Sequence, residues 1–267
     1  MQKSGFWRRA PLLLMLCVLS ACASLQSQDA GVSDHPMVVL KLDDYRADEG
    51  VHPGWANVFA LLNRRGVIAT IGVIGEGLER PDPAAVSWLL EQRARGHELW
   101  NHGYCHCRSG PDNSDIREFR GAGFPAQIAA LRRTQYLAET VLGEPFTVFG
   151  APYNSTDADT AQAIAQIPSL KVWMFKDTNA EIAPTSLAQL RRAPELNIEY
   201  PVHIPDASRF IEAYRAAPLD QVIVIQGHPR SWANEPERFA QFSQIVDFLI
   251  AQDARFIGPS EAAELGR

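Results

Sequence analysis

Short apolar runs alternate with amphipathic stretches over most of this chain, and this alternation constrains its fold more than any other feature. The apolar runs predict buried strands, and the stretches between them predict helices, as in repeated βα units. Roughly six to eight such strands favour a parallel barrel, in which functional side chains collect at the carboxyl ends of the strands. The predicted strands are 37–42, 69–74, 97–100, 147–149, 171–175, 222–225 and 255–257, and the predicted helices are 54–64, 83–95, 124–142, 158–167, 235–251 and 259–265.

The N-terminus predicts an exported, lipid-anchored protein. A basic start precedes the apolar run 12–19, which is far shorter than the ~20 residues of a membrane-spanning helix. We therefore expect a cleaved signal peptide over 1–21. The Leu-Ser-Ala-Cys sequence ending at Cys22 resembles the bacterial lipobox, whose cysteine is lipidated; an ordinary secretory signal cut elsewhere is the alternative. Lipid on Cys22 would anchor the chain without spanning the membrane. Ala23 after it resembles the pattern by which enteric bacteria sort lipoproteins to the outer membrane, and this resemblance implies a location there, facing the periplasm.

The rest of the chain is predicted to form a tether and one domain. Residues 22–36 are small and polar, which predicts a flexible tether. Residues 37–267 have the length of one barrel-type domain, and we expect this segment to carry the catalytic site. A net charge of -6 without a basic patch argues against a nucleic-acid partner.

Two pairs of polar residues follow predicted strands and suggest a metal site. Asp43 and Asp44 end the first strand, where they are costly to bury unless they bind something, although such a pair can also form a turn. His102 and His106 follow the third strand, and on a helical turn this spacing places both imidazoles on one face. Two histidines and a carboxylate leave positions open on the metal, as catalytic sites require.

Two further strand ends carry candidate residues. Pro152-Tyr153 follows a strand at a sharp turn, and the Tyr153 amide is the first free donor there, which could stabilise an oxyanion; an ordinary turn with a packed tyrosine is the alternative. His228 ends a nearly continuous apolar strand, and its imidazole can exchange a proton near neutral pH. A structural histidine is the alternative reading of His228.

Taken in order, these four clusters resemble the motifs of the NodB-homology polysaccharide deacetylases, carbohydrate esterase family four. The resemblance extends from Met37 to Leu265 and also includes Gly96-His97-Glu98 and the closing sequence 256–261. It implies an α/β fold, an incomplete or deformed (β/α) barrel. It also implies one divalent metal ion, usually Zn²⁺, and a polysaccharide or oligosaccharide substrate.

The resemblance assigns each candidate residue a role. The second aspartate and the histidine pair would bind the metal. The first aspartate would activate the water, the tyrosine amide would stabilise the oxyanion, and the last histidine would protonate the leaving group. The implied metal ligands are Asp44, His102 and His106, the general base is Asp43, the oxyanion donor is the Tyr153 amide, and the general acid is His228.

Three features depart from the family pattern or stay open. The third motif usually begins with an arginine that orients the base, and Gly150 stands there; Lys176-Asp177 is only a loose match to the fourth motif. Lys41 lies two residues before Asp43 on the same strand face, so it could hold the base ionised, with Lys176 as a rival donor. Alternatively, Lys41 only shields the strand from solvent.

Cys105 and Cys107 flank His106, and three states are open for them. They could form a disulfide, remain inert thiols, or place one thiol beside the metal. The sequence does not decide among these states.

The sequence thus favours a hydrolase that removes N- or O-linked acetyl groups from a cell-envelope or extracellular polysaccharide. We expect it to act on carbon–nitrogen bonds other than peptide bonds. The alternatives are a glycan-binding lipoprotein that kept the fold and lost turnover, and a metal hydrolase acting on another amide or ester.

Overall fold

The computed structural model describes residue 2 and residues 35–109, 115–175, 187–193, 195–216 and 221–266. The predicted signal peptide, Cys22 and nearly all of the predicted tether lie outside these residues, as do Lys176 and Asp177. The described elements all fall in one compact unit, His35–Arg267. Among the described residues, no helix combines the length and apolar character needed to cross a membrane.

The strands and helices largely follow the predicted alternation. The strands are β1 (Met37–Tyr45), β2 (Thr70–Val73), β3 (Glu98–Asn101), β4 (Arg108–Ser109), β5 (Ile116–Arg117), β6 (Val148–Phe149), β7 (Val172–Phe175), β8 (Ala188–Arg191), β9 (Val222–Gly227) and β10 (Arg255–Phe256). The helices are α1 (Pro53–Arg65), α2 (Pro83–Ala94), α3 (Phe124–Leu142), α4 (Ala158–Ala165), α5 (Ala207–Ala216), α6 (Pro236–Ala251) and α7 (Pro259–Leu265).

The large sheet is parallel and nearly closes into a barrel. Its order is β10-β1-β2-β3-β6-β7-β8, and β9 pairs with β1 in parallel over six residue pairs, from Met37↔Val222 to Leu42↔Gly227. A parallel bridge between Arg192 and Val224 brings the end of β8 to β9 and narrows the remaining gap between these two strands in the barrel wall. The predicted incomplete (β/α) barrel is confirmed.

Successive residues of β1 face alternately toward the surrounding helices and toward the barrel interior. Val38, Leu40 and Leu42 belong to a large cluster that includes the buried faces of α1 and α6. Met37 and Val39 belong instead to an interior cluster with Trp100 and residues of β6 to β9. Because side chains alternate along a strand, Lys41 and Asp43 continue the interior row toward the carboxyl end of β1.

Several elements differ from the predictions. Strand β8, helix α5 and the antiparallel pair of β4 and β5 were not predicted. Helix α5 buries Ala207, Phe210 and Tyr214 on one side, and the Asp206 carboxylate accepts the Arg209 N–H at its start, so both a helical period and a cap were present in the sequence. Strand β1 also runs to Tyr45, which places the two aspartates inside the strand rather than after it.

Candidate metal centre and active site

Three predicted metal ligands converge at the carboxyl ends of β1 and β3. Asp44 Oδ1 lies 3.1 Å from His102 Nε2 and 3.2 Å from His106 Nε2. One ligand atom from each side chain lies within 4.8 Å of the others. Asp44 has a positive φ of 75°, a conformation that aspartate tolerates better than most residues. These three residues were predicted as ligands from the sequence, and the fold brings them together.

The hydrogen bonding of His102 fits a bound cation. His102 Nδ1 donates to the Gly150 carbonyl at 2.7 Å, so the neutral ring carries its lone pair on Nε2. That lone pair faces a carboxylate oxygen of Asp44, an arrangement that a shared positive ion stabilises. Metal-ligating histidines commonly bond a backbone carbonyl through the other ring nitrogen, which fixes their orientation.

Electrostatics couple Asp44 to the neighbouring histidines. Burial alone would raise the pKa of Asp44, but its interactions with His102 and His106 bring that pKa well below its ordinary value. Burial would lower the pKa of His106, and the Asp44 carboxylate reverses this and raises it. A carboxylate and two nitrogens are ligands that suit zinc.

The helical turn predicted for His102 and His106 is wrong. The segment between them is a loop in which Gly103 has φ 74° and His106 has φ 55°. The two rings nevertheless approach to 5.3 Å between centroids. They converge through the path of this loop rather than through helical periodicity.

The Cys105–Cys107 pair is a disulfide, with a Cα–Cα distance of 5.0 Å. Of the three predicted states, inert thiols and a metal-adjacent thiol are therefore wrong for this structure. The disulfide brackets His106 within its loop.

Asp43, the candidate base, is held by Lys41. The lysine Nζ lies 2.8 Å from Asp43 Oδ1 and 2.6 Å from Oδ2. Lys41 is 1 % exposed and Asp43 2 %, so the alternative that Lys41 only shields the strand from solvent is wrong. Burial lowers the pKa of Lys41, and the Asp43 carboxylate acts in the opposite direction. The lysine Nζ also lies 4.7 Å from the centre of the Trp100 ring.

Gly150 provides the space in which Lys41 and Trp100 meet. A Cβ at position 150 would lie 2.7 Å from Trp100 Cζ3 and 3.3 Å from Lys41 Cε. A larger side chain therefore cannot occupy this position without displacing them. The ammonium group beside Asp43 comes from β1, and Gly150, which follows β6, leaves room for it.

His228 is oriented by Glu199, a residue that the sequence reasoning missed. His228 Nδ1 lies 2.6 Å from Glu199 Oε2, and the carboxylate also accepts the His228 backbone N–H at 2.9 Å. Burial would lower the pKa of His228, but Glu199 raises it overall to about 9. The imidazole is therefore protonated at neutral pH and can act as a proton donor.

Further contacts fix the side chains of Glu199 and Arg192. Trp232 Nε1 and the His203 backbone N–H donate to Glu199 at 3.1 and 2.8 Å, so both carboxylate oxygens are engaged. Arg192 was also not predicted from the sequence. Burial lowers the pKa of its guanidinium, whereas the Asp43 carboxylate acts in the opposite direction. The guanidinium donates to the Asn197 side chain. No strand periodicity marked these residues in the sequence.

Tyr153 closes the other side of the metal centre. It has a positive φ of 59°, and its hydroxyl donates to the His106 carbonyl at 3.0 Å. Its ring centre lies 4.3 Å from that of His106. Asn154, the next residue, donates to Gln226 at 2.8 Å and so links the ends of β6 and β9.

These groups surround one open cavity of about 500 Å³. Five of the six predicted site residues line it, and His102 lies beneath its floor at 1 % exposure. The lining residues are Asp43, Asp44, His106, Arg117, Tyr153, Asn154, Arg192, Asn197, Glu199, Val202, His203, Gln226 and His228.

Comparison with known proteins identifies the family. The family model described as "Polysaccharide deacetylase" matches residues 31–169, and no curated protein matches the chain. The structure is similar to a family 4 acetyl xylan esterase from Clostridium thermocellum in complex with a cobalt ion (16 % identity, TM-score 0.60, 86 % of this chain and 91 % of that one).

Two further structures share the fold. One is the Xyl-CE4 domain of a multidomain xylanase from the hindgut metagenome of Trinervitermes trinervoides (18 % identity, TM-score 0.59, 87 % of this chain and 91 % of that one). The other is a wild-type CE4 family pseudoenzyme from Bacillus anthracis (12 % identity, TM-score 0.57, 86 % of this chain and 66 % of that one). Since the family model spans more than half of the sequence, the chain belongs to the polysaccharide deacetylase family.

Proposed function

We propose that this chain is a metal-dependent hydrolase that removes acetyl groups from a cell-envelope or extracellular polysaccharide. The observation that carries the proposal is the meeting, around one cavity, of a cation-fitting triad with a buried carboxylate and an imidazole paired with Glu199. We further propose that the acetyl group is held by a carbon–nitrogen bond. An O-acetyl ester is the second substrate class, which the likeness to an acetyl xylan esterase favours.

The residues Asp44, His102 and His106 would hold one divalent ion, for which we propose Zn²⁺. When bound, such an ion supplies Lewis acidity, which polarises an acyl carbonyl and acidifies a water molecule. Asp43, held on both oxygens by Lys41, takes the proton of the attacking water. Asp43 Oδ2 lies 3.8 Å from His102 Nε2, so the base borders the ligand cluster.

The remaining steps need a stabilised oxyanion and a protonated leaving group. The Tyr153 backbone amide donates to the oxyanion of the tetrahedral intermediate. His228 gives its proton to the departing sugar nitrogen or oxygen, and Glu199 stabilises the imidazolium beforehand.

The binding-protein alternative rests on Gly150, which replaces the arginine of the family's third motif, and on the likeness to a pseudoenzyme. The Lys41 contact weakens this alternative, because a cation does stand beside Asp43.

For location, we propose that lipid on Cys22 anchors the chain to the outer membrane, facing the periplasm. The lipobox-like sequence before Cys22 supports this proposal.

Acetate release from a panel of N-acetylated and O-acetylated glycans tests the function. We expect the purified chain loaded with zinc to release acetate from at least one N-acetylated member, and the Asp43→Asn variant to lose this activity. Release from O-acetylated members alone would restrict the proposal to esters. Unchanged release by Asp43→Asn would remove Asp43 as the base.

A further inference from the structure

The loop that carries His106 is tied at nearly every peptide group. Gly103 N–H donates to the Asn101 side chain at 2.9 Å, and the Gly103 carbonyl accepts from Gly75 N–H at 2.9 Å. The Tyr104 carbonyl accepts from Glu76 N–H at 2.6 Å. A loop bonded in this way holds one conformation, which matters because it supplies a metal ligand.

Glu118 accepts the largest share of these hydrogen bonds. Its Oε1 accepts the Tyr104 N–H at 2.5 Å, and its Oε2 accepts the N–H groups of Cys105 at 3.2 Å and His106 at 2.8 Å. One carboxylate thus binds three consecutive amides that lead to the metal ligand. Glu118 is 8 % exposed and directly follows β5, so its own position is fixed by the fold.

Gly103 and His106 show why the loop needs such support. A Cβ at Gly103 would lie 2.8 Å from Glu118 Oε2, so the carboxylate packs directly against the glycine. His106 has φ 55°, in the left-handed region that costs a residue with a side chain roughly 1–2 kcal/mol. The bonds from Glu118 offset this cost in the folded protein.

We infer that Glu118 is the positioning residue that sets the metal affinity of this site, by holding the His106 loop in its binding conformation before the ion arrives. The Cys105–Cys107 disulfide is the second restraint on the same loop. The inference rests on the proposed metal centre. Groups that orient metal ligands typically change metal affinity about 10- to 100-fold when they are replaced.

The test compares Glu118→Gln with a matched control, Glu98→Gln. Glutamine keeps the shape of Glu118, but its single oxygen cannot accept all three amides, and its NH₂ group would face an N–H donor. Glu98 is also a hydrogen-bonded glutamate, accepting from the Ser260 backbone and hydroxyl, but at the amino end of β3, away from the cavity. Zinc affinity is measured on the purified full chains by competition with a chromophoric chelator.

We expect Glu118→Gln to bind zinc at least 10-fold more weakly than the wild type, with Glu98→Gln within threefold of it. At saturating zinc, acetate release per bound ion should stay within threefold of the wild type for the control Glu98→Gln. Equal zinc affinity in Glu118→Gln and the wild type would overturn the inference, as would an equal loss in Glu98→Gln. A wild type that binds no zinc would instead overturn the proposed metal centre.

The double variant Cys105→Ser, Cys107→Ser tests the second restraint and serves if Glu118→Gln does not fold. It keeps the Glu118 carboxylate and removes only the covalent link. We expect zinc affinity to fall at least threefold, and treatment with a phosphine reductant should weaken zinc binding in the wild type and not in this variant. Unchanged affinity in the folded double variant would overturn the role of the loop restraint.

Discussion

Replacement of Lys41 by methionine should nearly abolish turnover while leaving the metal ligands in place. Methionine fills much of the space of the lysine stem but lacks the ammonium group that lies 2.6 and 2.8 Å from the Asp43 oxygens. Both side chains are almost fully buried, so little water can reach the space that the ammonium group would leave.

The size of the effect follows from this burial. Two unit charges about 4 Å apart interact by about 4 kcal/mol at an effective dielectric constant of about 20, and breaking a buried pair from one side costs ~3–5 kcal/mol. We expect this loss to leave Asp43 displaced from its position and ineffective as the base. Since a positioned base contributes about 100- to 10,000-fold, kcat should fall within that range.

The assay pairs kcat for acetate release with zinc content in the same preparations. The matched control is Lys171→Met, because the Lys171 ammonium is exposed and donates to the Pro168 carbonyl, away from Asp43. Asp43→Asn should match the Lys41→Met loss, and the double variant should be little worse than either single change. Near-full turnover by a folded Lys41→Met protein with normal zinc content would refute this reasoning.

Three further outcomes are expected. Because His228 must be protonated and its pKa is raised to about 9, the rate should fall as pH rises through about 9, and Glu199→Gln should move this fall toward neutral pH; an unmoved profile would contradict the pairing. Gly150→Ala should lower the free energy of unfolding by ~1–3 kcal/mol in denaturant titration, because its Cβ would meet the Trp100 ring; no loss would show that the site relaxes easily. Cys22→Ser should shift the protein from the membrane to the soluble or uncleaved fraction, whereas unchanged membrane association with normal processing would indicate an ordinary signal peptide.

Much of the barrel could be predicted because its strands are short apolar runs with clear helical stretches between them. The contact between Lys41 and Asp43 also follows from strand alternation, since residues two apart share a face. The aspartates and histidines could be selected because each pair adjoins an apolar strand, and parallel strands place these ends on one face of the barrel.

The parts that could not be predicted depend on contacts between distant residues. Glu199 reaches His228 from 29 positions away, in a segment without strand or helix periodicity. The path of the His106 loop depends on the positive φ of Gly103 and on the carboxylate of Glu118, so the spacing of the histidines alone suggested a helical turn that does not form. Helix α5 is a different case, because its capping residue, Asp206, could have been recognised in the sequence and the helix was nevertheless not predicted.

Hydrolysis is proposed to depend on one ion held by Asp44, His102 and His106. The most direct test of this dependence is to add Zn²⁺ stepwise to metal-free protein and to follow acetate release from an acetylated glycan that the loaded enzyme cleaves. Activity should rise linearly and stop at one equivalent of zinc, and the His102→Ala, His106→Ala double variant should neither bind that equivalent nor gain activity. Full activity of the metal-free protein, or stoichiometric zinc in the double variant, would contradict the proposed dependence.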